Sequence, residues 1–576
     1  MQSKNNSSTN IQSPLRSIAR AFLPSAAAIL TLLFSTASSS FAGSATWKAS
    51  AANDEWFNVN NWVQRTIPNS PGDTATFASS NRTSIDIVAF DMELNGIVFN
   101  PGASAFTLAT NLQATTLQLI ISGVGITNNS GVVQNFVLTN PATQMFFINN
   151  ATAGSLTAFT GGQITFGATS TAGNATFTNN IFITFSNDTT AGDATFNIID
   201  GGVIIFDGNS TAANGTFNNP GFIQFGETPF DASTAGNGTF TNPGSADSTL
   251  GGGFIVFHFG TAGDATFINN GATASGGIAG ETLFQDTGDA GNAVLIANGG
   301  VGGGDGGSIQ FATASTGGTA RMEVFGNGNL DISLHDTPGV KTGSIQGNGA
   351  VFLGANNLTV GTNNLGTTFS GLIQDGGSGG GTGGSLTKAG SGKLTLTKSN
   401  TYTGGTTITK GTLLVTNRSG SATGTGSVQV NAGTLGGTGR ISGAATIGTA
   451  TGTATTATLA PGNGAQLGAL TLLNTLTFNS RATYKVNLNS NAATGAQVVA
   501  TGVKINSGAL VSISDLGTAR LPSGTVLTII NNTATTPIAG TFINLSDGSR
   551  LIVGSNTFQA NYRGGDGNDL TLTVVP

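Results

Sequence analysis

Thr171-Ala172-Gly173-Asn174-Ala175-Thr176-Phe177 returns as Thr190-Ala191-Gly192-Asp193-Ala194-Thr195-Phe196 and again as Thr211-Ala212-Ala213-Asn214-Gly215-Thr216-Phe217. Two further copies end at Phe240 and Phe267, and a weaker one at Leu295. The terminal Phe residues are spaced by 19, 21, 23 and 27 positions. Between copies lies a second apolar run that also ends in Phe: Ile164-Thr165-Phe166, Ile183-Thr184-Phe185, Val203-Ile204-Ile205-Phe206, Phe222-Ile223-Gln224-Phe225 and Phe254-Ile255-Val256-Phe257. Each repeat therefore offers two short strands separated by Gly, Asn and Asp turns.

A unit of this size cannot bury its apolar face alone, but it can pair edge to edge with copies above and below. The pattern predicts an all-β fold, a right-handed parallel β-helix (β-solenoid) with irregular coil lengths. Equivalent Phe residues stack inside it at the ~4.8 Å strand spacing. Asn and Asp at matching turns form amide ladders or take left-handed backbone, and Gly makes the other corners. Roughly five hundred residues at about twenty-two per coil would give a rod on the order of 100 Å long.

Composition agrees. The chain has 576 residues, 88 of them Gly, and only 8% charged, against about 25% in ordinary soluble domains. Disorder does not fit 35 Phe and 38% hydrophobic residues, because disordered chains are poor in aromatics and rich in charge. Collagen is excluded by the lack of a three-residue Gly period. No cysteine is present, so strand ladders and packing must supply all the stability.

The first residues read as an export signal. Lys4, Arg16 and Arg20 precede an apolar stretch from Ala21 to Ala37, and small residues lead to a cleavage site after Ala42. An uncleaved membrane anchor is the weaker alternative, given Pro24. The expected mature chain keeps 17 basic and 26 acidic residues, a net charge of −9. That balance gives no electrostatic attraction to nucleic acid or anionic lipid. No later segment reaches the ~20 apolar residues that span a bilayer. Four regions follow: the signal, 1–42; a capping region holding all three Trp, 43–105; the Phe/Gly-rich solenoid, 106–385; and a Thr- and Leu-rich solenoid, 386–576.

The last region carries a family signature. Leu386-Thr387-Lys388-Ala389-Gly390-Ser391-Gly392-Lys393-Leu394-Thr395-Leu396 leads into Asn400-Thr401-Tyr402-Thr403-Gly404-Gly405-Thr406-Thr407-Ile408 and then Gly411-Thr412-Leu413-Leu414-Val415. This resembles the autotransporter-associated β-strand repeat of bacterial passenger proteins. Ala432-Gly433-Thr434-Leu435-Gly436-Gly437 and Leu459-Ala460-Pro461-Gly462 are also similar to it. The resemblance implies an exported parallel β-helix displayed at the cell surface or released from it. Such proteins end in a membrane β-barrel, and after Val575-Pro576 the sequence has no room for one. The expectation is a passenger-type protein without a C-terminal translocator barrel.

Sites of chemistry are sparse. Gly564-Gly565-Asp566-Gly567-Asn568-Asp569-Leu570 fits one calcium-binding nonapeptide, but such sites form between stacked copies, so a turn is the expectation, with calcium near Asp566 and Asp569 the alternative. Gly376-Gly377-Ser378-Gly379-Gly380 matches a nucleophile elbow on paper without the strand–turn–helix that strains the Ser. Gly302–Gly307 has dinucleotide-like spacing without a crossover helix. His258 lies between Phe257 and Phe259, and His335 precedes Asp336; neither has a second His or a Cys beside it, so zinc is not expected. Glu323 and Asp331 are isolated carboxylate candidates for a glycosidase. Trp47, Trp56 and Trp62 could stack on sugars, but a solenoid end must also be blunted against edge pairing. No catalytic, cofactor or metal residue is assigned. The expected function is a structural or adhesin-like rod that presents loops, not an enzyme. Its partners would be extracellular glycans or other cell-surface molecules. A polysaccharide-active enzyme or carbohydrate-binding module is the alternative.

Overall fold

The computed structural model describes residues 43–88, 91–110, 117–179, 181–249, 251–449, 456–464 and 466–576. The expected export signal, 1–42, lies outside them. The chain winds into a parallel β-solenoid of about 18 turns. One wall is a 15-stranded parallel sheet running from Ala45–Thr46 to Leu372–Gln374. It contains the apolar runs Gln163–Phe166, Phe182–Phe185, Val203–Phe206 and Phe222–Phe225. The second wall holds the strands that close each Thr-Ala-Gly unit, among them Asn174–Asn179, Thr195–Ile198 and Thr216–Asn218. Between the walls runs a narrow third side, a ladder of single bridges from Thr152 through Thr171, Thr190, Thr211 and Thr234 to Thr261. The sole helical turn among the described residues is Val59–Asn61.

Register places every repeat residue on its equivalent. Phe177 pairs with Phe196, Phe196 with Phe217, and Phe217 with Phe240; in the other wall Phe166, Phe185, Phe206 and Phe225 align. Alternation along a strand points each Phe inward and its Thr neighbours outward. Rings within a column lie 4.4–5.0 Å apart and nearly parallel, and rings of facing columns meet edge-on at 5.6–5.9 Å. Both geometries suit the ring quadrupole. The narrow side has room only for methyl groups, and Ala172, Ala191, Ala212 and Ala235 line it, fully buried. Its corner favours Gly: at Gly192, φ is +62° and a Cβ would lie 2.6 Å from the Gly173 carbonyl oxygen, and only Ala213, at φ +48°, replaces it in the five full copies. Longer repeats place their extra residues in loops at the corners, so the walls keep register while coil length varies.

One amide ladder lies inside the core. Asn219 donates to Asn242 at 2.8 Å and Asn242 to Asn269 at 2.7 Å, all within the core.

Toward the C-terminus the narrow side widens. Strand Gly339–Gly347 pairs with Asn357–Val360 along its first half and touches Phe369 at its last residue. From there the former narrow side carries strands of its own; the first wall's sheet ends at Leu372–Gln374, and a new sheet takes up a third side from Arg440–Ile441 onward. The final wall closes with an antiparallel cap, Val526–Asn532 pairing with Asp569–Val575, which pairs with Asn556–Gly564 and then Arg550–Val553.

The other end is sealed by the Trp residues. Trp56 and Trp62 are fully buried and Trp47 is 1% exposed. Trp62 meets Trp47 and Trp56 edge-on at 5.1 and 5.0 Å, and all three pack on Phe77. The indole N–H groups of Trp47, Trp56 and Trp62 donate to the backbone carbonyls of Arg82, Pro68 and Trp56 respectively. Buried Asn61 uses its whole amide, accepting from the Ala52 and Asn53 N–H groups and donating to the Asn53 side chain and the Glu55 carbonyl.

Candidate functional site

The interior is one continuous apolar core from Ala45 to Val574, so any ligand must meet the outside. The residues singled out in sequence fall at separate places there. Glu323 projects from the second wall and pairs with Arg321, Oε1 to Nε at 2.7 Å. Asp331 belongs to the first wall, in register with Gln310 and Phe352. The two carboxylates therefore face different sides and do not converge on one bond. Asp331 instead holds the Gly-rich run: it accepts from the Ser333 and Ser378 N–H groups at 2.8 Å each, and Ser333 Oγ accepts from Gly379. Ser378 thus reaches an Asp through its backbone, in a turn whose residues Gly376, Gly377 and Gly380 have positive φ.

His335 sits between two backbone carbonyls, of Asp336 at 2.5 Å and Ser315 at 2.7 Å. His258 contacts Asp286 Oδ2 at 2.8 Å and the Gln285 amide at 2.9 Å from the next coil. Gly302–Gly307 lies in a corner loop that stacks on its neighbours, with Ala272 N–H donating to Asp305 and Val301 N–H to Ala272. Gly564–Leu570 is a hairpin turn: Gly564 pairs with Asp569, and Asp569 accepts from Asn532 N–H at 2.9 Å. No group of three His, Cys, Asp or Glu is placed to hold a metal among the described residues. The Trp rings are too buried for a sugar to stack on them.

The surface itself is regular. One outward column follows the narrow side along the rod: Thr152 to Thr261, then Asp289 and Thr316, and beyond the widening Lys341, Thr359, Thr387, Thr407, Gln429, Thr446, Thr477 and Lys504. Beside it an Asx column is linked by side chains, Asn214 donating to Asp193 at 2.9 Å and Asn292 to Asp264 at 3.1 Å. At one edge the loop Gly226–Ala232 projects Phe230, 93% exposed. Beneath it burial, reinforced by Asp231 and Glu227, pushes the Asp207 carboxyl up to about 7.

Charge along this surface is divided. No Lys or Arg occurs between Arg82 and Arg321, a stretch holding fifteen Asp and Glu; from Arg321 onward fourteen basic residues stand against eight acidic. Overall composition conceals this, and a count by segment would have found it.

The signature of the last region forms two coils. Leu386 pairs with Thr406, Lys388 with Ile408, Leu394 with Leu413 and Leu396 with Val415. Asn400 clamps three coils, accepting from Ile373 N–H at 2.8 Å and donating to the Ala422 carbonyl at 2.6 Å. Tyr402 is fully buried with its hydroxyl 2.6 Å from Thr406 Oγ1, and burial raises its pKa. Lys388 occupies an inward column position between Val360 and Ile408, 1% exposed. Its ammonium donates to the carbonyls of Ala389, Gly390 and Lys410.

Residues 386–415 match the passenger-associated-transport-repeat family. The chain carries a passenger-associated-transport-repeat. With the solenoid around it, the repeat fits a passenger-type protein of the autotransporter class. Its motif residues are architectural: Asn400, Tyr402 and Lys388 hold coil to coil rather than face solvent. No curated protein matches the chain, and no described helix is long and apolar enough to cross a membrane.

Proposed function

We propose that the protein is an exported, surface-displayed rod of adhesin-like character, whose work is to present loops and a patterned side to other surface molecules. The observation that carries this reading is the pairing of a solid interior with an outward face of short Thr and Asn side chains in register. Ordering such a face costs little side-chain entropy, and coil stacking fixes its spacing independently of any ligand. The corner loops, with Phe230 foremost, are the variable parts of an otherwise repetitive surface, and binding residues concentrate on loops held by rigid scaffolds. The passenger-associated-transport-repeat supports export.

The test is surface accessibility in the native host. A tag inserted at Phe230 should be stained and cleaved on intact cells. Staining only after the outer envelope is opened, or turnover of a polysaccharide by the purified protein, would overturn the reading.

A further inference from the structure

We infer that two copies of this chain associate side by side and antiparallel, each laying its acidic half on the basic half of the other along the narrow side. The inference goes beyond surface display and does not depend on it.

Asp193 and Asp264 are exposed beside the Thr column, and Asp289 lies within it. No Lys or Arg lies on any of these coils. After the widening, the same corner of the rod carries exposed Lys393, Lys410 and Arg481. Register shows that the corner is the same one, because the column running through Thr190 and Thr261 continues through Thr387 and Thr407. None of these three cations has a carboxylate partner within the chain among the described ion pairs.

One side of one rod thus bears an acidic stretch followed by a basic one. A twofold axis perpendicular to the rod, at the Lys341 coil, superposes each stretch on the opposite kind in the second copy. Counting coils outward from that axis brings Asp289 opposite Lys393 at two coils, Asp264 opposite Lys410 at three, and Asp193 opposite Arg481 at six. The contact is self-complementary and closes at two chains, as an isologous interface requires. A parallel arrangement would set like charges against each other. The columns between the charges are mostly Thr and Asn, with Lys341 and Gln429 the long exceptions, and their short side chains let two backbones approach. Single exposed ion pairs are weak, so the association rests on the summed field and must be salt-sensitive: the Debye length shrinks from about 30 Å at 0.01 M salt to about 3 Å at 1 M.

Sedimentation of the purified full chain tests this. The expected result is dimer mass at low salt and monomer mass at high salt. Monomer at both salt levels, or an assembly that persists at high salt, overturns it. Two reversed variants give the second arm, one with Asp193→Lys, Asp264→Lys and Asp289→Lys, the other with Lys393→Glu, Lys410→Glu and Arg481→Glu. Each alone should stay monomeric at low salt, and an equimolar mixture should form a one-to-one dimer; a mixture that stays monomeric refutes the pairing. Should either variant misfold, zero-length carbodiimide cross-linking of mixed light and heavy wild-type chains decides. Inter-chain links from Lys393 to Asp289 or from Lys410 to Asp264 support the arrangement, and inter-chain links elsewhere, or none, refute it.

Discussion

Replacing Phe196 by Ala probes the stacked interior at its centre. The ring is fully buried. It lies 4.9 Å from Phe177 and 4.7 Å from Phe217, both nearly parallel, and meets Phe185 edge-on at 5.8 Å. Truncating a buried Phe costs about 3–5 kcal/mol, and the backbone ladders on both sides prevent the cavity from collapsing, so we expect about 4 kcal/mol. In a solenoid each coil contacts only its neighbours, and the loss should stay local. Hydrogen exchange followed by mass spectrometry reads this directly. Peptides covering the coils of Phe177 to Phe217 should open more readily, while those around Tyr402 keep their protection. Phe230→Ala, at an exposed loop tip, is the control and should change nothing by more than about 0.5 kcal/mol. A loss at Phe196 below about 1 kcal/mol, or a loss spread evenly over the chain, would mean that the rings are not packed coil by coil.

Three further predictions follow from particular side chains. Burial lowers the Lys388 pKa from 10.5 to about 8. Between those values the unfolded chain holds a proton that the folded one has lost, so stability should rise with pH across that window, by up to about 3 kcal/mol. Lys388→Met should flatten that rise in denaturant titrations run from pH 8 to 10.5. Asp207 has the opposite sign: its folded pKa, about 7, lies above the ordinary 3.8. Its contribution is therefore full below pH 4 and lost as pH rises through 7. Asp207→Asn should remove that decline, measured as the wild-type minus variant difference in thermal midpoint between pH 4 and 7. Gly192→Ala forces a side chain into left-handed backbone, and onto a carbonyl 2.6 Å away; we expect a loss of at least about 1–2 kcal/mol, read by the same exchange experiment at the Thr190 coil.

Much of this fold is readable in the sequence because one signal repeats. The Phe residues ending each unit recur with Thr before them and, except at Ala213, Gly four positions earlier, and spacing that varies from 19 to 27 residues is absorbed by loops without disturbing the columns. The Trp cap follows the same logic, since an end without a neighbour must bury its rings on itself. Other features were hidden. Lys388 shares the inward side of its strand with Leu386, but a charged side chain argues against burial there, and the carbonyls of Gly390 and Lys410 that receive its ammonium come from loops no local pattern brings together. Asp331 and Ser378 are 47 positions apart, and no local pattern announces that one caps the loop of the other. The widening of the narrow side at Gly339–Gly347 depends on a strand that serves two neighbours, a tertiary event with no motif. The division of charge needs no structure to count, but its alignment on one corner does.

Successive windings lie directly on one another along the rod, and the separation of two distant coils measures this. The absence of native cysteine allows two spin labels to be placed uniquely, at Thr211→Cys and Gln429→Cys, which stand in the same outward column nine coils apart. At the ~4.8 Å strand spacing, pulsed dipolar spectroscopy on labelled chain diluted in unlabelled protein should give one narrow distance near 43 Å. A broad distribution, or a distance under about 25 Å, would contradict the account.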